Sequence, residues 1–140
     1  MKNTIILLTM LLFSGIGFAQ ESNNGKQLWA KSFLNEKAPE LTVETWISKK
    51  PDTEGKFVII DFWATWCGPC RKAIPELNEI AKEFSKDVVV IGISDEPVEK
   101  IKAMKEPVIE YYYGVDTKKT MDKILEIKGI PHVIIIDPKG

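Results

Sequence analysis

The residues best suited to chemistry lie in WATWCGPCRKAIP, residues 63–75, which contains Cys67 and Cys70, the chain's two cysteines, with two residues between them. Such a pair can staple the chain, clip a metal or work as a redox couple. As a staple it does little. Closing so short a loop removes on the order of 2 kcal/mol of chain entropy, against nearly 5 for a hundred-residue loop. A structural zinc site needs four ligands, and beyond the pair His132 is the remaining strong candidate. A redox couple fits the local pattern better. Cys67 follows an apolar run and opens a helical one, so its sulfur meets unpaired N–H groups and the positive helix end, which favour a thiolate. Cys70 lies one turn further on, within reach of a mixed disulfide formed on Cys67. This order makes Cys67 the nucleophile and Cys70 the resolving thiol. Gly68 and Pro69 allow the tight turn and put proline in the first helical turn, where its missing N–H costs nothing. They add no charge or ring donor to stabilise the thiolate further, which points to a reducing couple.

The elements around this pair alternate between strand and helix. Phe57–Ala64 reads as a near-continuous apolar strand. Cys70, Ala73, Ile74, Leu77, Ile80, Ala81 and Phe84 recur at helical spacing, predicting a helix over Gly68–Ser85. Val88–Ile93 and His132–Asp137 are further apolar strands. A short helix is expected from near Ser94–Pro97 to before Pro107, an extended segment over Val108–Tyr113, and a helix from an Asp116 cap to Lys128, broken by Gly129-Ile130-Pro131. Leu28–Leu34 and the stretch from Ala38 to Val43 are candidate strands, and Glu44–Ser48 is ambiguous. This alternation predicts an α/β domain over residues 28–140, with helices on both faces of the sheet.

The chain has 140 residues, 44% hydrophobic and 28% charged, with a net charge of -1. That suits one soluble domain and gives no basic patch for nucleic acid or an anionic membrane surface. The N-terminus departs from this balance. Lys2, the apolar run Ile5–Phe13 and the small residues of Gly17-Phe18-Ala19 read as a cleaved export signal over 1–19. The run falls short of the ~20 residues of a spanning helix. Residues 20–27 form a polar linker. Export would place the cysteines in a periplasmic or otherwise extracytoplasmic compartment, where disulfides persist.

DFWATWCGPC is similar, almost letter for letter, to the active-site stretch of the thioredoxin fold. KAPELTVETW and residues 94–128 resemble the N-terminal extension and the βα insertion of exported thiol–disulfide oxidoreductases of the TlpA and ResA type. The likeness covers roughly residues 38–140. It implies a thioredoxin fold, a central mixed sheet flanked by helices. Pro75 matches the helix-kinking proline of that family. Gly129-Ile130-Pro131 matches its cis-proline loop, so that Ile130 and Pro131, with Trp66, Gly68 and Pro69, would contact substrate. Trp63 would be core. Asp61 interrupts an apolar strand. It is either a buried, hydrogen-bonded aspartate or, as the resemblance implies, the acid under Cys70. There, burial would raise its pKa and let it take the Cys70 proton. The lysine that pairs with this acid in thioredoxin has no counterpart here; Ile91 or Gly92 takes its place. Asp95 and Glu96 stand where ResA-like proteins carry an acid near the cysteines, or they simply start a helix. His132, where thioredoxins have threonine, either tunes the sulfurs or packs in the strand. The Tyr111–Tyr113 run reads as core and strand edge.

The function expected from these residues is exchange between a Cys67/Cys70 dithiol and disulfides of exported proteins. It would be driven by a membrane-bound thiol reductant, with apocytochromes c among the conceivable clients. No cofactor is expected beyond the redox-active disulfide itself. A disulfide oxidase or isomerase is the alternative enzyme, and a copper-handling or protein-binding module is the alternative without turnover. A longer chain is also expected, because Asp137–Gly140 is a turn directly after a buried strand.

Overall fold

A computed structural model of the protein describes residues 28–140. The expected export signal (1–19) and linker (20–27) lie outside the described residues. The elements are β1 (Thr45–Trp46), β2 (Phe57–Phe62), α1 (Gly68–Glu83), β3 (Val88–Ser94), α2 (Val98–Ala103), β4 (Tyr112–Val115), α3 (Thr120–Leu125) and β5 (His132–Ile136). The strands form one mixed sheet in the order β1-β4-β3-β2-β5. β2 pairs parallel to β3 and antiparallel to β5, and β3 pairs parallel to β4.

Apart from Asp61 in β2 and the terminal Ser94 of β3, both strands are apolar because both faces of the sheet are covered. Alternate residues of β2 enter two different clusters. Val58, Ile60 and Phe62 pack with Ile91, Ile93, Met121 and Leu125, under α3. Ile59 and Trp63 lie on the other face with Cys70, Ile74 and Leu77 of α1. Asp61 shares the parity of Ile59 and Trp63, so it points toward the helix that carries Cys70. Ile60, Ile74 and Ile91 are completely buried, which contributes about 1.5–3 kcal/mol each relative to exposure.

Several boundaries differ from those expected. Leu28–Leu34 forms no strand; its backbone meets the end of α3 instead, through Lys31 N–H to the Leu125 carbonyl (2.7 Å) and Lys128 N–H to the Trp29 carbonyl (2.9 Å). The stretch 38–43 is irregular, and the N-terminal strand is the two-residue β1 just after it. β1 lies so close to β4 that a side chain on Gly114 would begin 2.6 Å from the Thr45 carbonyl oxygen. β4 begins only at Tyr112, because side chains of α1 hold the residues before it. α3 covers half of the expected 116–128. Lys119 and Glu126, at φ 56° and 51°, are left-handed and bound it at either end. Asp116 does serve this helix, its Oδ2 accepting the Met121 N–H at 2.7 Å. α1 contains Pro75 in its interior, which leaves the Arg71 carbonyl without its helical donor.

Candidate active site

The strand-to-helix turn after β2 builds the centre. Trp63 N–H still bonds the Ile93 carbonyl (3.1 Å), and Trp63 and Ala64 are buried. The chain then turns, with Cys67 N–H on the Ala64 carbonyl at 3.0 Å. Cys67 is the N-cap of α1, and its Sγ accepts the Cys70 N–H at 3.2 Å. The two cysteines are joined in a disulfide with Cα atoms 5.3 Å apart. Cys70 is fully buried and Cys67 nearly so, whereas Trp66, Gly68 and Pro69 beside them are exposed.

The two acids after β3 separate. Asp95 sits at the surface and pairs with Lys119 at 2.6 Å. Glu96 turns inward, is 5% exposed, and accepts both the backbone N–H and the hydroxyl of Thr65, while Lys100 caps it at 2.6 Å. Burial alone would raise the Glu96 pKa. Lys100 and the two Thr65 donors outweigh it and hold the carboxyl below its usual range. Thr65 thus joins the site, a role that no local sequence pattern marks.

Asp61 is 1% exposed, and its carboxyl is pushed up to about 6 by burial, against the smaller opposing effect of a hydrogen bond from Tyr111. The Tyr111 hydroxyl donates to Asp61 Oδ2 at 3.3 Å. Tyr111, expected as core or strand edge, is buried and is also this donor. The signal that could have found it is the missing lysine, since a buried acid needs a donor and tyrosine carries one.

The Ile130–Pro131 bond is cis, as the resemblance implied. Gly129 and Ile130 line a groove with Trp63, Trp66, Asp95 and Lys119. His132 is not brought to the sulfurs. It pairs with Phe62, and its neighbours Ile134 and Ile136 belong to the α3-side cluster. Directly paired residues share a face, so the imidazole lies on the face opposite to Asp61 and the cysteines. Among the described residues no group of three His, Cys, Asp or Glu could hold a metal ion, and no helix is long and apolar enough to cross a membrane.

The AhpC/TSA family matches residues 34–140. Thioredoxin-like protein YneN of Bacillus subtilis (strain 168) is 28% identical over 112 residues, 75% of this chain and 66% of YneN. Thiol-disulfide oxidoreductase ResA of the same strain is 26% identical over 109 residues, 74% of this chain and 61% of ResA. The chain thus spans a little under two thirds of the length of these relatives. The crystal structure of the thioredoxin domain of a thiol-disulfide oxidoreductase from Bacteroides vulgatus superposes with a TM-score of 0.55 at 33% identity, covering 63% of this chain and 67% of that one. By sequence and by fold, the chain belongs to the AhpC/TSA family and shares the thioredoxin fold of thiol-disulfide oxidoreductases.

Proposed function

We propose that the protein is a thiol–disulfide oxidoreductase that reduces disulfides in exported proteins. The observation that carries this reading is Cys67 Sγ at the head of a 16-residue helix, disulfide-bonded to a buried Cys70. In the reduced protein the N–H that Cys70 offers to this sulfur, together with the helix end, favours a Cys67 thiolate. That thiolate attacks one sulfur of a client disulfide. A mixed disulfide forms and the other client sulfur leaves as a thiolate. Cys70, deprotonated by Asp61, then attacks Cys67 Sγ. The second client thiolate leaves and the Cys67–Cys70 disulfide of this structure remains. Two electrons have passed to the client, and a membrane-bound thiol reductant restores the dithiol. The exchanging sulfurs are the redox group, with no further cofactor.

The exposed Trp66, Gly68, Pro69 and Pro131 and the partly exposed Ile130 form the client-facing surface. The reductive direction is supported by the bare Gly-Pro between the cysteines. The extracytoplasmic location is supported by residues 1–19. Trapping tests the reading. Cys70→Ser should hold clients on Cys67 as mixed disulfides that thiol reductants release, and the trapped proteins should be exported ones. A reduction potential near about -270 mV fits a reductant, whereas one near about -120 mV makes the protein an oxidant.

A further inference from the structure

We infer that Tyr111 is a positioning residue for the proton transfer at Cys70: its hydroxyl holds the Asp61 carboxylate, whose paired residues on both neighbouring strands carry no side-chain donor. This rests on the reading of Asp61 as the base for Cys70.

The need for such a donor follows from the register. Asp61 faces Gly92 on β3 and Val133 on β5, and neither carries a polar side chain. α1 brings Cys70, Ile74 and Leu77 to the same face, with no charged group among them. Of the other buried acids, Glu96 is held by Thr65 and Lys100, and Asp116 is bonded to the α3 backbone. Within this enclosure the Tyr111 hydroxyl and the thiols of the reduced pair are the groups that titrate beside Asp61.

Three features place the tyrosine there. First, Gly92 makes room. A Cβ at that position would sit 3.0 Å from Tyr111 Cε2 and 3.0 Å from Trp63 Nε1. Its φ is not in the left-handed region, so the glycine serves space and not backbone freedom. Second, α1 tethers the segment that leads into Tyr111. Asn78 donates to the Val108 carbonyl (2.9 Å) and accepts the Glu110 N–H (2.8 Å), and Arg71 donates to the Glu106 carbonyl (2.6 Å). The helix that carries Cys70 therefore also fixes Tyr111, and both belong to one buried cluster. Third, the donor is neutral. A charged donor would favour the carboxylate by its charge as well as by its hydrogen bond. A hydroxyl orients the carboxylate yet lets burial keep it near neutrality. Burial and the charge of Asp61 both push the Tyr111 phenol upward, so it remains a donor wherever Asp61 titrates.

The test is Tyr111→Phe, which keeps the ring. The Asp61 carboxyl is followed by carbon NMR in the oxidised protein, and resolution of a mixed disulfide is followed against pH in single turnover. The carboxyl titration should move up by about one pH unit, the worth of one hydrogen bond to a charged group. The acid limb of resolution should move with it while the alkaline plateau is kept. In an Asp61→Asn background the same change should move nothing. A 3-fluorotyrosine at position 111, a more acidic donor, should shift both midpoints downward. A carboxyl titration indifferent to both changes overturns the inference. A titration that moves, with a resolution limb that follows Asp61 in neither protein, overturns instead the reading of Asp61 as the base, and the catalytic part of the inference with it.

Discussion

The Glu96 carboxylate accepts two hydrogen bonds from Thr65, one from its backbone N–H and one from its hydroxyl at 2.9 Å, so an acid after β3 fixes the turn two residues before Cys67. Lys100 is half exposed and adds little on its own. The hold on Thr65 supplies the stability, on the order of 1–3 kcal/mol for a buried charged acceptor. Glu96 titrates below the usual glutamate range, so this contribution is present above about pH 4.3 and is lost as pH falls through the folded value. Glu96→Gln should therefore melt several degrees below wild type at pH 7, with the gap closing toward pH 3.5. Equal gaps at both pH values would show that the charge has no part in holding the turn.

Asp61 has the opposite sign. Its folded value, about 6, lies above the ordinary 3.8, so the native state holds the proton more tightly than the unfolded chain does. Stability is lost as pH rises through that window, by up to about 3 kcal/mol for two units. Asp61→Asn removes the buried charge while keeping the shape. It should raise the denaturation midpoint at pH 8 and leave it nearly unchanged at pH 4. A variant less stable than wild type at pH 8 would mean that the carboxylate is well solvated in the fold.

These two acids show what a sequence reveals and what it hides. The buried strands and α1 were legible because their apolar runs are continuous or helically spaced, and the cysteine pair because its motif is contiguous. Contacts between distant positions were not. Thr65 meets Glu96 across 31 residues and Tyr111 meets Asp61 across 50, and neither pairing leaves a local pattern. β1 is two residues long, too short for any period to show. α3 is cut by Lys119 and Glu126 in left-handed conformations, at residue types that do not announce them. His132 was undecidable for another reason. A one-residue change of register moves a strand's side chains to the other face, and only the pairing with Phe62 fixes the parity.

That parity makes a prediction about the thiol. With His132 on the α3-side face, His132→Thr should leave the Cys67 titration of the reduced protein where it is in wild type. Rates of alkylation against pH would check this. A Cys67 pKa raised by the substitution would mean that the imidazolium reaches the sulfur after all.

The sharpest expectation concerns the second chemical step. Cys70 is fully buried, which disfavours its thiolate, so it needs a base before it can attack. Asp61 lies on the α1-side face of β2 with a carboxyl near neutrality, able to accept that proton at physiological pH. Cys67 has its thiolate favoured by the helix end and needs no such help. Asp61→Asn should thus spare the first attack on a client disulfide and slow resolution. The loss of a general base typically costs about 10²–10⁴-fold, with the low end expected for a nucleophile as reactive as sulfur. Mixed disulfide should accumulate during turnover, visible after acid quench and alkylation. The deficit should also narrow above about pH 8.5, where a thiol begins to ionise without a base. Stopped-flow reduction of a model disulfide across about pH 6–9, two units either side of neutrality at most, would measure both steps. If resolution by Asp61→Asn matches wild type throughout, the Cys70 proton leaves by another route and Asp61 is a structural acid held by Tyr111.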